Sequence, residues 1–199
     1  MDPTRIIYPL FFASAFLSVT GGSHSAVPFL KLATCRDFNI KSSECQHYFP
    51  IDMLTNNISN EYKLHLTFYV MTTTAANIVL TDGNNKGKVR YKAVVGGYAN
   101  TYSWLRNTSD TTVGLDSHKT GILSPLWPTP IVVRQKYDGQ LSVAIPGVID
   151  PLLRADASDL EVKSVCLYAW QAESRWFYNC NEDNEYRTMD GYTCVKLQQ

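Results

Sequence analysis

Between residues 62 and 70 the chain alternates, with Tyr62, Leu64, Leu66, Phe68 and Val70 on one side and Lys63, His65 and Thr67 on the other. A period of two is the repeat of extended backbone, and a helix with 3.6 residues per turn cannot place these side chains on one buried face. The segment is therefore a strand with a core side. Residues 77–80 make a short second strand closed by the turn-forming cluster 82–87. Val89, Tyr91, Ala93 and Val95 then alternate with Arg90 and Lys92 in a third strand ending at Gly96-Gly97. Segments 131–137 and 140–145 flank Asp138-Gly139, a hairpin signal because Asp and Gly suit the left-handed positions of a tight turn. Segments 161–170, 175–179 and 192–197 supply further strands, the last following Asp190-Gly191. No long amphipathic helix interrupts them. The expected fold is all-β, an antiparallel β-sandwich or jelly roll.

Residues 1–25 read differently. Arg5 precedes an uncharged apolar run over 6–19, and a stretch of small residues follows to Ser25, the pattern of a signal peptide. The run is short for a bilayer, and no other stretch approaches the ~20 apolar residues of a membrane helix, so no transmembrane anchor is expected. Cleavage after Gly22 or Ser25 would remove Asp2 and Arg5, leaving the 18 basic and 18 acidic residues equally reduced. A neutral chain has no basic excess to attract nucleic acid or an anionic membrane. The expected place is outside the cell.

An oxidising compartment changes the reading of Cys35, Cys45, Cys166, Cys180 and Cys194. Two bridges and one spare thiol are expected. Cys166, inside the apolar run 165–170, is the expected spare, packed as a small hydrophobe. Cys35, Cys45, Cys180 and Cys194 are then the disulfide candidates. Local pairs (Cys35 with Cys45, Cys180 with Cys194) are simplest, and cross-linking of the two chain ends is the alternative. No Cys-x-x-Cys occurs and the histidines are scattered, so no metal site is expected. The triplets at Asn57 and Asn107 are glycosylation sequons, each expected in an exposed loop.

Segment 89–106 contains Gly96-Gly97, Asn100, Ser103 and Arg106 in the spacing Gly-Gly-x-x-Asn-x-x-Ser-x-x-Arg, directly after a strand. It resembles the domain named after farnesoic acid O-methyltransferase of arthropods. A second block agrees: the hairpin 131–145, then Asp150-Pro151, then 162–170 and 176–180. Val132-Val133 stands where the family has an aromatic pair, and Ala144 where it has glycine. The resemblance covers about 61–180, which divides the chain into signal peptide (1–25), an N-terminal extension with Cys35 and Cys45 (26–60), the domain (61–180) and a C-terminal hairpin tail (181–199). The family name implies methyl transfer from S-adenosylmethionine. A common α/β methyltransferase needs alternating strands and helices with a glycine-rich loop at a strand end, and this chain supplies neither, so no cofactor is expected.

Continued as a strand, segment 98–106 puts Tyr98, Asn100, Tyr102, Trp104 and Arg106 on one face. Aromatic planes beside an amide and a guanidinium suit a saccharide, whose ring faces stack while its hydroxyls take directed hydrogen bonds. Tyr98, Asn100, Trp104 and Arg106 are the candidate ligand-binding residues. The same residues also read as core anchors at a bend, and the solvent exposure of Trp104 separates the two. Asp150, Asp156, Asp159 and Glu161 read as solvated charges of an acidic loop. No nucleophile elbow, His-Glu-x-x-His or phosphate loop is present. The leading expectation is a secreted recognition module for a carbohydrate or a small apolar ligand. The alternatives are a small-molecule O-methyltransferase and a structural or interaction protein of extracellular fluid or matrix.

Overall fold

Strands follow one another with little else between them: β1 (Arg36–Ile40), β2 (Tyr48–Pro50), β3 (Tyr62–Met71), β4 (Ala76–Thr81), β5 (Arg90–Gly96) and β6 (Tyr102–Arg106), then β7 (Thr112–Ser117), β8 (Thr129–Lys136), β9 (Gln140–Ile145), β10 (Ile149–Asp156), β11 (Ser164–Ala169) and β12 (Ser174–Tyr178). They belong to a computed structural model that describes residues 29–84 and 87–181. The expected signal peptide, the strand over 192–197 and Cys194 lie outside the described residues. No described helix is long and apolar enough to cross a membrane.

All pairings are antiparallel, in the order β1-β12-β3-β8-β9-β10-β7-β6-β5-β4-β11-β2. The sheet curls at β7, which bonds to β6 on one side and meets β10 through Arg154 and Leu115 on the other. Its two halves thus face each other as a sandwich, which is the expected all-β class. The two ends of the sheet meet as well, with Phe38 of β1 and Phe49 of β2 at 5.0 Å between ring centres.

The core is filled as the alternation requires. Leu64, Leu66, Phe68 and Val70 of β3 point inward with Ile131 and Val133 of β8 and Trp176 of β12, against Ile78, Leu80, Val95, Leu105 and Leu167 of the other half. Each such side chain removed from water contributes about 1.5–3 kcal/mol. Buried Gln135 donates its amide hydrogens to the carbonyls of Ala157 and Leu160, both at 2.9 Å, and so fastens the loop between β10 and β11 to the core. The β8–β9 turn is closed by the Asp138 carboxylate, which accepts from the Gln140 amide.

Several expectations are corrected. Cys166 is not a spare thiol: it is bonded to Cys45, and Cys35 is bonded to Cys180. The physical reason lies in the alternation of β11. Val165 and Leu167 enter the inter-sheet core, which turns Cys166 and Tyr168 to the outer face. There the segment running from β1 to β2 lies across them, and Cys45 closes the covalent link. Asp150 and Asp156 do not share a loop; both stand on β10, where Asp150 pairs with Arg134 at 2.9 Å. Segment 98–106 is not one strand, because a turn occupies residues 97–100 before β6 begins. Segment 26–60, expected to be an extension, supplies β1 and β2 at the two ends of the sheet. Strand β7 was not foreseen, since none of its residues is buried.

Candidate functional site

The registers of β11, β4, β5 and β6 set the outer face of the second half-sheet as rows. Tyr168, Asn77, Val94 and Trp104 form one row, and Cys166, Val79, Lys92 and Arg106 the next. Aromatic side chains thus rise at both sides of the face, on β11 and on β6. With neighbouring strands about 4.8 Å apart, the two ridges stand roughly 14 Å from each other. Lys92 and Arg106 lie below the β6 ridge.

The β6 ridge is built by an unusual turn. Gly96 has φ 62°, and Tyr98, Ala99 and Asn100 follow with φ of 47°, 57° and 64°. Left-handed backbone costs a residue with a Cβ roughly 1–2 kcal/mol, so the conformation persists only where neighbouring bonds over-determine it. Those bonds are present. The Gly96 carbonyl accepts from the Ala75 amide (2.7 Å) and the Thr74 hydroxyl (2.9 Å), and the Gly96 amide donates to the Ser103 hydroxyl at 2.9 Å. Gly97 is required for a different reason: a Cβ there would lie 2.4 Å from two carbons of the Trp104 six-membered ring.

The turn swings Tyr98 back over β6. Its ring centre lies 5.2 Å from that of Trp104 and 6.1 Å from that of Tyr102, and Tyr102 stacks on Trp104 at 5.1 Å. His118 continues the stack, 4.6 Å from Tyr102, and the Arg106 guanidinium lies 5.7 Å from the Trp104 ring centre. Tyr98 is 70% exposed whereas Trp104 is only 8% exposed, so by its exposure Trp104 is a buried anchor and not a platform, and the ring that meets solvent above it is Tyr98. Trp104 packs with Ala75 and Val94 in a small cluster separate from the inter-sheet core.

Two donors in this cluster have no acceptor among the described residues: the Trp104 indole N–H and the Arg106 Nε–H, both buried. The Tyr102 hydroxyl and the charged ends of Arg106 and Lys92 are engaged. Tyr102 donates to the Asp116 carboxylate, and that bond, followed by burial, holds its phenol above the ordinary tyrosine range. Arg106 and Lys92 share Asp110, at 2.8 and 3.4 Å. Burial by itself would raise the Asp110 carboxyl, but the two cations outweigh it and keep it below the usual carboxylate range.

Of the four candidates, Tyr98, Trp104 and Arg106 are brought together. Asn100 is not: its side chain donates to the Leu123 carbonyl (2.9 Å) and accepts from the Leu123 amide (3.1 Å), tying the turn to the loop before β8. Sequence reasoning missed Asp110, Asp116, His118 and Lys92. For Asp110 a signal existed, because Asn107-Thr-Ser-Asp is turn-forming and a hairpin there folds Asp110 back onto Arg106. Asn107 closes that hairpin, its side-chain oxygen Oδ1 accepting from the backbone amides of Ser109 and Thr111 at 3.1 Å each. The chain therefore turns immediately after Arg106, placing the sequon in an exposed loop beside the ion network.

Comparison with known proteins gives one family. The model described as farnesoic acid O-methyl transferase matches residues 42–182. No curated protein matches the chain in sequence. Among solved structures, a carbohydrate binding module, CBM66, from Bacillus subtilis is similar at 12% identity and a TM-score of 0.40, with 70% of this chain and 78% of that one covered.

Proposed function

The chain belongs to the farnesoic acid O-methyltransferase family, and from that premise we propose that it is a secreted recognition module whose ligand is a saccharide held against Tyr98, Tyr102 and Trp104. The single observation that carries this reading is the pair of unpartnered buried donors, the Trp104 indole N–H and the Arg106 Nε–H, in a cluster whose Tyr98 ring is exposed. A buried N–H without an acceptor costs about 1–3 kcal/mol. A ligand hydroxyl that reached them as Tyr98 moved aside would recover that cost, while the tyrosine ring stacked on the apolar face of the sugar. A purely apolar ligand offers no acceptor, which favours the saccharide of the two expected ligand classes. Disulfides, sequons and the leader-like first residues support the secreted setting.

The family name points to S-adenosylmethionine, and the residues at the glycine pair do not fit it. Gly96-Gly97 leads into a left-handed turn and then into a strand, and the space that Gly97 leaves is filled by the Trp104 ring. Glycine here admits an indole rather than a cofactor.

A panel of immobilised glycans read with the purified full chain tests the proposal. Binding should be retained in Asn100→Asp, provided that variant folds, and weakened about tenfold or more in Tyr98→Ala, whose ring is mostly in solvent. A blank panel together with a blank lipid screen would favour the interaction-protein alternative. Turnover of labelled S-adenosylmethionine with farnesoic acid would establish the methyltransferase instead.

A further inference from the structure

On the other side of the same face, between β5 and the segment strapped down by the Cys45–Cys166 disulfide, lies an open hollow of about 170 Å³. Its upper wall is aromatic: Trp170, 51% exposed, and Tyr168, a buried ring whose phenol is pushed up by burial while Arg90 pulls the other way. Its lower wall is cationic, formed by Arg90 and Lys92, and Glu44 stands on the strap opposite.

Arg90 is the informative residue. Its backbone is fixed to Thr108, whose hydroxyl accepts from the Arg90 amide at 2.9 Å. Arg90 is half-buried as a residue, and its guanidinium has no carboxylate partner among the described residues. The other half-buried arginines, Arg106 and Arg134, each hold a carboxylate, at 2.8 and 2.9 Å. Lys92 is already joined to Asp110, which it shares with Arg106. Each cation at the β6 side of the face thus holds a carboxylate, whereas Arg90 holds none, and exposed Glu44 is the one acid lining the hollow. A guanidinium presents a planar fork that matches a carboxylate or sulfate with two parallel hydrogen bonds, and it does so best where water is partly excluded.

We infer that this hollow is a subsite for an anionic sugar, its carboxylate or sulfate taken by Arg90 and its ring lying against Trp170. The sugar part rests on the saccharide reading above; the anion part rests on Arg90 alone. The site is continuous with the Tyr98 cluster through Lys92, Asp110 and Arg106, so one acidic oligosaccharide could reach both.

The test compares three disaccharides of one linkage: one ending in glucuronate, one ending in a sulfated glucose and one ending in glucose. Each is titrated calorimetrically against the full chain and against Arg90→Gln, Arg90→Lys and Tyr98→Ala, with thermal melting as the check on folding. The acidic sugars should bind about tenfold or more tighter than the neutral one, and the preference should weaken with added salt. Arg90→Gln should abolish the preference without changing the melting temperature, and Arg90→Lys should retain part of it. Preference for glucuronate over sulfate, or the reverse, identifies which oxyanion the hollow takes. Equal binding of neutral and acidic sugars, lost in Tyr98→Ala, would overturn the subsite and leave the saccharide reading standing. An acidic preference that survives Arg90→Gln would also overturn it. Failure of all three sugars to bind would end both readings.

Discussion

Gly97→Ala is a precise probe of the ring cluster, because its backbone is not in the left-handed region and only the added methyl can act. That methyl would lie 2.4 Å from Cζ3 and Cη2 of Trp104 and 3.3 Å from Cγ1 of Val94. Carbon atoms pack at about 3.5–4.0 Å, so the indole must retreat by roughly 1 Å or the turn must open. Overpacking of this kind costs about 1–3 kcal/mol. Trp104→Ala alone removes a buried indole and should cost about 3–5 kcal/mol. Combined, the two changes should be less harmful than their sum. With the indole gone the methyl keeps, of these, only its contact with Val94 Cγ1, at 3.3 Å, and alanine restricts the unfolded chain more than glycine does, a gain of about 0.4–1 kcal/mol. The double variant should therefore be more stable than additivity predicts by about 1–3 kcal/mol. Urea denaturation followed by far-ultraviolet circular dichroism, with unchanged slopes, measures all four proteins. Additivity within about 0.5 kcal/mol would mean that the indole does not lie on Gly97, and the geometry proposed for the site would fall with it.

Peptide mapping of the unreduced protein should recover Cys35 linked to Cys180 and Cys45 linked to Cys166, leaving Cys194 as the fifth cysteine; removing either bridge should cost about 2–4 kcal/mol in thermal or urea unfolding. At high pH, Tyr91 should limit stability. Burial, then its hydrogen bond to Asp159, pushes its phenol up to about 12. The raised value means that the folded state holds the proton more tightly than the unfolded one. The contribution is then complete below the unfolded value of about 10 and is lost as pH rises through 12, so Tyr91→Phe should flatten a denaturation series across that window. Protein from its native source should begin near Ser23 or Ala26 and lose mass at Asn57 and Asn107 on glycosidase treatment; an intact Met1 with both asparagines bare would refute secretion.

The legible part of the fold was the part governed by alternation. Strand β3 carries Leu64, Leu66, Phe68 and Val70 to one side over most of its length, so its period could be read without knowing its partners. Strand β7 was illegible because it is the strand at which the sheet curls, with no buried residue, and nothing in its own pattern demands burial. Cys166 was misread for the opposite reason. A continuous apolar run is buried on both faces, and the run does not say whether the second face is covered by another sheet or by a strap held through that very cysteine. In the candidate site, the alternation over 98–106 correctly grouped Tyr102, Trp104 and Arg106, which share a face of β6. It failed over Tyr98, Ala99 and Asn100, where positive φ breaks the period; Tyr98 rejoins the rings only because the turn folds it back.

Composition gave a chain with equal numbers of acids and bases, and hence no electrostatic partner. That argument holds for the field of the whole molecule, which decides attraction at a distance. It does not hold within a few ångströms, where register decides which charges can meet. β5 lays Arg90 and Lys92 on one face of the sheet, two residues apart, and β6 returns Arg106 opposite Lys92. The next hairpin brings back a single acid, Asp110, within reach of Lys92 and Arg106. Arg90 is left over by this geometry, and the strap that Cys45 ties across β11 walls it into a hollow with Trp170. A neutral protein can thus hold a half-buried cation that has no carboxylate partner among the described residues. The disulfide that was hardest to foresee supplies one of the hollow's walls, so reduction of Cys45–Cys166 should act on ligand binding there before it acts on the inter-sheet core.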